Sequence, residues 1–485
     1  MKTLHLSIML AGIAMFGMFS FLPSFADNVN SEWPTGPGQF QLSQIVASGN
    51  NAYVIYQTYN GSEAFFRKSI DGGATFDKII KINDDDNGEV ISPQITTSGN
   101  NVYISWDVMY LNHTVHTMFK KSTDNGNTFG NAIVLNPYGA KTGYAVINQM
   151  TSLGSNVYAA MSYDDLTSSG GSQILKTSAD NGDTFGKPVS IFNDGDYFST
   201  KIAVSEKNVY VVSEKSYACQ QGGCNQVNIF FRKSTDNGTT FGKMINLSNG
   251  TLVLAEQMIA SKNNVFVVWQ DGPYPAIFFT KSSDGGSTFS NKINLSKNIT
   301  NNSEPQIAVE GNNIYVVFHD RGSSPSHMGV YFTKSSDGGS TFSNPVKIAD
   351  RGTSSLHIAT SEKNVYMIWD DFNSTSNRSN VFFTKSSDNG TNFDNPVNLS
   401  SEIKGETFGQ LAVEEKNVYV GLGTGFPADY VYFRASNDGG RTFGNVTDLN
   451  HDSSQTKIPE FPFAVPMLLA SFVPVIVFYR TRFRK

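Results

Sequence analysis

The chain has 485 residues, 39% of them hydrophobic and 12% aromatic, and carries a formal net charge of −6. That acidic balance argues against a nucleic-acid partner, which is held by basic patches. Outside the termini no segment spaces its apolar residues at a helical period, so a helical fold is excluded as well.

The first residues read as a secretory signal peptide over 1–26. Lys2 supplies the basic start, Leu4 to Leu22 the apolar stretch, and Ser24-Phe25-Ala26 a small-x-small cleavage site. A short segment, 27–39, follows. From 40 to 450 one unit recurs, and residues 303–350 show it. A strand, Gln306-Ile307-Ala308-Val309, leads into a tight turn at Glu310-Gly311-Asn312, where Gly and Asn tolerate positive φ. A second strand is Asn313-Ile314-Tyr315-Val316-Val317-Phe318, a third Val330-Tyr331-Phe332-Thr333-Lys334, a fourth Pro345-Val346-Lys347-Ile348. Aromatic and β-branched residues dominate all four.

Between the third and fourth strands stands Ser-x-Asp-x-Gly-x-Thr-Phe. Its aspartates recur at Asp71, Asp124, Asp180, Asp236, Asp284, Asp337, Asp388 and Asp438, and only the seventh copy departs, with Asn392 for Thr. A fixed period of roughly 50 residues marks a repeat architecture. The expected fold is all-β: a single eight-bladed β-propeller of four-stranded antiparallel blades. The blades fall near 40–84, 91–136, 145–194, 198–250, 254–298, 303–350, 354–401 and 407–450. Each Asp is expected to accept hydrogen bonds from its own turn, and each Phe to tuck beneath its blade. Either every blade is contiguous, or Trp33 to Leu42 adds an outer strand to blade 8 and latches the ring.

After a linker, 451–460, Phe461 to Tyr479 is uncharged and long enough to span a bilayer as one transmembrane helix. Arg480, Arg482, Arg484 and Lys485 follow, in a basic tail over 480–485 that places the C-terminus in the cytoplasm and the propeller outside. The expected location is the extracellular face of the cell membrane, as a single-pass, monomeric ring. Asn-x-Ser/Thr sequons are dense, among them Asn60, Asn246, Asn294, Asn301 and Asn398, and fit either an extracellular glycoprotein or the turn chemistry of the repeat. Cys219 and Cys224 share one loop and are expected to form a disulfide outside the cell; no His or further Cys lies near enough in sequence for a metal site.

The motif resembles the Asp-box, or BNR repeat, of the sialidase superfamily, over nearly the whole of 40–450. The resemblance implies a propeller whose boxes lie on the face opposite the active site. It implies fold and not activity, because Asp-boxes also occur in propellers that are not sialidases. Pro459-Glu460-Phe461-Pro462, with the apolar stretch and basic tail, resembles the C-terminal sorting signals of archaeal surface proteins, which implies removal of the tail by a membrane protease.

A sialidase also needs three Arg to clamp the substrate carboxylate, a Tyr nucleophile paired with Glu, and an acidic Asp. The family's early Phe/Tyr-Arg-Ile-Pro segment is absent; Trp33-Pro34-Thr35-Gly36 is nearest and has no Arg. Arg67, Arg232 and Arg434 stand on third strands and are expected at the surface. Arg321, Arg351 and Arg378 fall in loops of blades 6 and 7, where they suit one anionic group but not a clamp around the axis.

The face away from the boxes varies more between repeats, so binding is expected there. Second strands leave through Trp106-Asp107, Trp269-Gln270-Asp271, Phe318-His319-Asp320 and Trp369-Asp370-Asp371. Carboxylates beside aromatics suit sugar hydroxyls or a cation; equally, each Trp packs between blades and each Asp starts a polar loop. Glu89, Glu256, Glu304 and Glu406 add acids between blades. The run Asn83-Asp84-Asp85-Asp86-Asn87-Gly88-Glu89 offers oxygen ligands suited to Ca²⁺, or a solvated turn. First strands repeat Gln44, Gln94, Gln149, Gln257, Gln306 and Gln410, with Lys201 and His357 in the other two, as a polar ring that bridges blades.

The expected function is binding of a glycan, a surface-layer protein or another extracellular protein. The ligand-side residues are Arg321, Arg351, Arg378, Trp106, Asp107, Trp269 and Trp369. The alternative is a glycoside hydrolase, sialidase-like or other, with acid and base drawn from Asp271, Asp320, Asp370 and Asp371.

Overall fold

The computed structural model describes residues 40–451, apart from 59, 85–87, 111–113, 137–143, 165–171, 195–196, 219–224, 250–251, 273–274, 298, 300, 323–328, 353, 374–377, 406 and 426–429. The expected signal peptide, membrane span, basic tail and disulfide lie outside the described residues. Among the described residues no helix is long and apolar enough to cross a membrane.

Eight antiparallel blades follow one another, each with its four strands hydrogen-bonded in chain order. Blade 6 consists of Asn302–Glu310, Asn313–Asp320, Gly329–Ser335 and Val346–Ala349. A single parallel contact, Val115 opposite Tyr144, joins blades 2 and 3 into one larger sheet. Second strands are buried on both faces, which is why they read as continuous apolar runs. The turn from first to second strand has positive φ at Gly49, Gly99, Gly154 and Gly311, and also at Glu206, Lys262, Glu362 and Glu415. There the hairpin imposes a conformation the side chain does not favour.

First strands lie innermost and side by side all round, blade 8 against blade 1. Apolar cores sit between blades; one joins Leu42, Ile45 and Tyr56 of blade 1 to Tyr419, Phe433 and Leu449 of blade 8. The ring therefore closes by packing and side-chain hydrogen bonds. Residues 40–42 pair with 56–58 in blade 1, so they are not an outer strand of blade 8. The glutamines bridge blades at four seams. Gln44 accepts from Ile95 N (2.8 Å), Gln94 from Met150 N (2.8 Å), Gln149 from Ile202 N (2.9 Å) and Gln410 from Ile45 N (3.1 Å).

The boxes share one geometry. Ser335 Oγ donates to Asp337 (2.7 Å) and accepts from Gly339 N (2.8 Å); Asp337 accepts from Thr341 N (2.9 Å) and Thr341 Oγ1 (2.6 Å). Hydrogen bonds from Ser122 and Thr128 hold the Asp124 carboxyl down to about 2. In box seven Asn392 Nδ2 donates to Asp388 (2.7 Å) in place of the missing Thr hydroxyl.

The box Phe differs from expectation. It packs edge-on against the third-strand Phe of the preceding blade, as Phe342 does on Phe279 (4.8 Å) and Phe393 on Phe332 (4.9 Å). The box is thus a joint between blades. Third-strand lysines lock it from the other side: Lys68, Lys121, Lys233, Lys281, Lys334 and Lys385 each donate to a backbone carbonyl of the next box, at 2.7–3.2 Å. Nor are Arg67, Arg232 and Arg434 free surface residues. Each reaches back to a carbonyl in or just after the fourth strand of the preceding blade, at Leu449, Ile191 and Leu399.

Three sequons serve turns. The side-chain oxygens of Asn246, Asn294 and Asn398 accept from Ser248 N, Ser296 N and Ser400 N. Those serines are buried and accept in turn from the third strand, at Ile229, Ile277 and Val381.

Candidate ligand-binding face

Second strands end on the face away from the boxes, and there the expected site residues separate. Trp106, Trp269 and Trp369 are buried, their indoles packed between blades; Trp269 stacks on Phe278 and Trp369 on Phe382, both at 6.0 Å. Burial puts the Trp106 and Trp269 rings out of a ligand's reach. Asp107 is fully buried too. It accepts from Thr117 Oγ1 (2.6 Å) and from Ile147 N of blade 3 (3.1 Å), and burial pushes its carboxyl up to about 8. It is a seam residue.

The four acids proposed for catalysis differ in setting. Asp271 is buried and paired with Lys292 (3.2 Å), whose ammonium lies 4.6 Å from the Phe278 ring centre. Asp320 is buried and accepts from Gly322 N (2.7 Å). Asp370 is buried on the second strand of blade 7, within electrostatic reach of Glu304. Asp371 alone lines an open depression of about 350 Å³ between blades 6 and 7, with Arg351, Trp369, Phe382, Asp350 and Pro396. Burial raises the Asp371 carboxyl, and Arg351 pulls against that rise.

The three arginines take different partners. Arg321 is paired with Glu304. Arg378 donates to the Ile403 carbonyl in the link from blade 7 to blade 8. Arg351 is exposed in the depression.

Glu304 is the acid that the blade 6–7 seam is built around. It sits in the bulge between Ser303 and Gln306 with φ of 54°, a conformation that turns its carboxylate toward the second strand. Burial raises its carboxyl; Arg321 opposes that and Asp370 adds to it. Nearby His319 is fully buried and kept neutral, its proton affinity driven down to about 3. Its Nε2 lies 3.9 Å from Glu304.

At the seam of blades 4 and 5, Lys201 takes the Gln position beside buried Glu256 and Glu214. Burial lowers its amine to about 8 against the pull of those two acids. Glu214 escaped the sequence reading; the signal available was Lys201, the one cation in the Gln series.

The expected Ca²⁺ run has Asp84 held by Lys120 Nζ (2.7 Å), and residues 85–87 lie outside the described residues. Among the described residues no group of three or more His, Cys, Asp or Glu is arranged to hold a metal ion.

Fold and boxes define an eight-bladed propeller jointed at its Asp-boxes. A family model, the BNR repeat-like domain, matches residues 214–420. No curated protein matches the chain. Similar solved structures include an ulvan lyase of polysaccharide lyase family PL25, bound to -[GlcA(1-4)Rha3S]-, at 9% identity over 81% of this chain and 91% of that one, with a TM-score of 0.49. A Hadza microbial sialidase is 13% identical over 79% and 76%, with a TM-score of 0.40. An α-L-arabinofuranosidase of Fusarium graminearum is 13% identical over 64% and 92%, also with a TM-score of 0.40.

Proposed function

We propose that this protein is a membrane-anchored surface propeller that binds glycan in the groove between blades 6 and 7. The observation that carries the reading is the depression there, where exposed Arg351 and half-buried Asp371 stand over Trp369 and Phe382. A guanidinium and a carboxylate beside the partly exposed Phe382 ring, with Trp369 buried beneath it, match the mixed polar and apolar faces of a sugar ring. The depression is open, which suits a long chain lying across it.

A second reading is a glycoside hydrolase, favoured by Glu304 and Asp370. A carboxyl whose proton affinity burial raises, beside a second acid, is the asymmetry an acid–base pair needs. One screen separates the two. The full-length protein in detergent is incubated with a glycan panel, and both capture and shortened products are measured. Capture without products supports binding; products lost in Glu304→Gln support hydrolysis; neither capture nor products refutes both. Anchoring is tested on intact cells, where added protease should digest the propeller while a tag after Lys485 stays protected or is absent through cleavage of the tail.

A further inference from the structure

The ladder registers align a second seam with the first. Lys201 faces Val212 and His357 faces Ile368 across the first hairpins of blades 4 and 7. Three residues further on stand Lys215 and Asp371. Counting back from the box serines Ser234 and Ser386, Phe230 matches Phe382. In the preceding fourth strands Phe192 faces Gln173 as Ala349 faces Val330, so Asp194 matches Arg351. The seam between blades 3 and 4 thus repeats the residue plan of the blade 6–7 depression with its charges exchanged: Asp194 for Arg351, and Lys215 for Asp371.

The exchange changes what reaches solvent. Lys215 is buried, bonded to the Asp194 carboxylate (3.1 Å) and to its carbonyl (2.9 Å). Its ammonium lies 4.8 Å from the ring centre of Tyr197, 5.2 Å from Tyr217 and 6.0 Å from Phe230. Tyr197 is fixed in turn by its hydroxyl on Asp194 (2.6 Å) and by stacking on Phe192 (4.6 Å). The outermost ring, Tyr217, remains 37% exposed, and the Asp194 side chain 57%. An exposed tyrosine usually has rotamer freedom to lose on binding. Here a buried cation and Phe230 hold the ring in place, so a ligand finds it already ordered.

We propose that Tyr217 and Asp194 form a second saccharide subsite on the surface of this seam, and that the ligand is an acidic polysaccharide long enough to reach both it and the blade 6–7 depression. A neutral pyranose would stack on Tyr217 with its hydroxyls on Asp194, while an acidic sugar further along the chain meets Arg351. The proposal rests on the glycan-binding reading above and adds to it the chain length and the alternation of charge. Linking two contacts through one chain makes the second intramolecular, so affinity should jump once the chain spans both.

The test uses hyaluronan oligosaccharides of graded length, in which a uronate alternates with a neutral N-acetylhexosamine, and the full-length protein in detergent. Wild type should bind short oligosaccharides weakly. Above a threshold length affinity should rise on the order of a hundredfold. Tyr217→Ala should abolish the rise and leave short-chain affinity unchanged; Tyr217→Phe, which keeps the stacking face, should retain it. Arg351→Ala should weaken binding at every length. A threshold that survives Tyr217→Ala, or a wild type with no threshold, overturns the second subsite while leaving the first groove standing. A wild type that ignores hyaluronan but captures another glycan overturns the ligand class proposed here. A wild type that captures no glycan overturns both readings.

Discussion

Two adjacent box glycines should respond very differently to the same substitution. Gly338 has φ of 65°, and a Cβ added there would meet nothing within 4 Å. Gly339 has φ of 79°, and a Cβ there would lie 2.8 Å from Phe279 and 2.9 Å from Ile314. Phe279 belongs to the preceding blade, and both neighbours are fully buried and cannot swing away. Alanine at either site should cost about 1–2 kcal/mol for the left-handed backbone. Gly339→Ala adds overpacking, about 1–3 kcal/mol more, for a total of about 2–5 kcal/mol. Gly338→Asn should be close to neutral, because asparagine already holds the matching position in Asn125, Asn181, Asn237 and Asn389 with φ of 56–57°. Denaturant midpoints at constant slope measure all three. Equal losses for the two alanine variants would refute the idea that the second box glycine is where blades meet.

Two other substitutions probe the seams. Asp107 in the fold holds a proton up to about 8 that the unfolded chain releases near 4, so the folded state binds more protons across that window. Stability should therefore fall as pH rises from about 4 to about 8, by up to about 1.4 kcal/mol per pH unit, relative to Asp107→Asn. Parallel stability–pH curves for the two proteins would show that the carboxyl is ionised in the fold. Gln149→Leu should cost about 1–3 kcal/mol, because Ile202 N loses its acceptor in the seam between blades 3 and 4. An unchanged midpoint would mean that water replaces the amide there.

The blades were legible because every repeat prints the same alternation of strand, turn and box. Eight aspartates recurring every 48–56 residues leave little freedom. The joints between blades were harder to read, since each contact pairs one repeat with the next. Phe279 and Gly339 stand 60 positions apart, and nothing local in either says that they touch. The same holds for Lys281 and the Gly338 carbonyl. On the binding face the aligned Trp and Asp positions were visible, but their orientation was not. A strand buried on both faces has no polar side to mark its outward direction. So Asp370 and Asp371, neighbours on one second strand, ended buried within reach of Glu304 and in an open groove. Lys215 and Asp194 were missed because the bulges between Phe198 and Lys201 and between Gln173 and Ile174 shift the count of residues. A cation where three other repeats carry Asp was the available clue.

The most direct test of glycan binding between blades 6 and 7 is the affinity of the best ligand from the panel for wild type, Arg351→Ala and Asp371→Asn, at matched denaturant midpoints. Loss of a charge-assisted hydrogen bond from an exposed groove should weaken binding about 10- to 100-fold in Arg351→Ala, less in Asp371→Asn, with folding unchanged. Full affinity in both variants would contradict the assignment and move the binding site elsewhere on the ring.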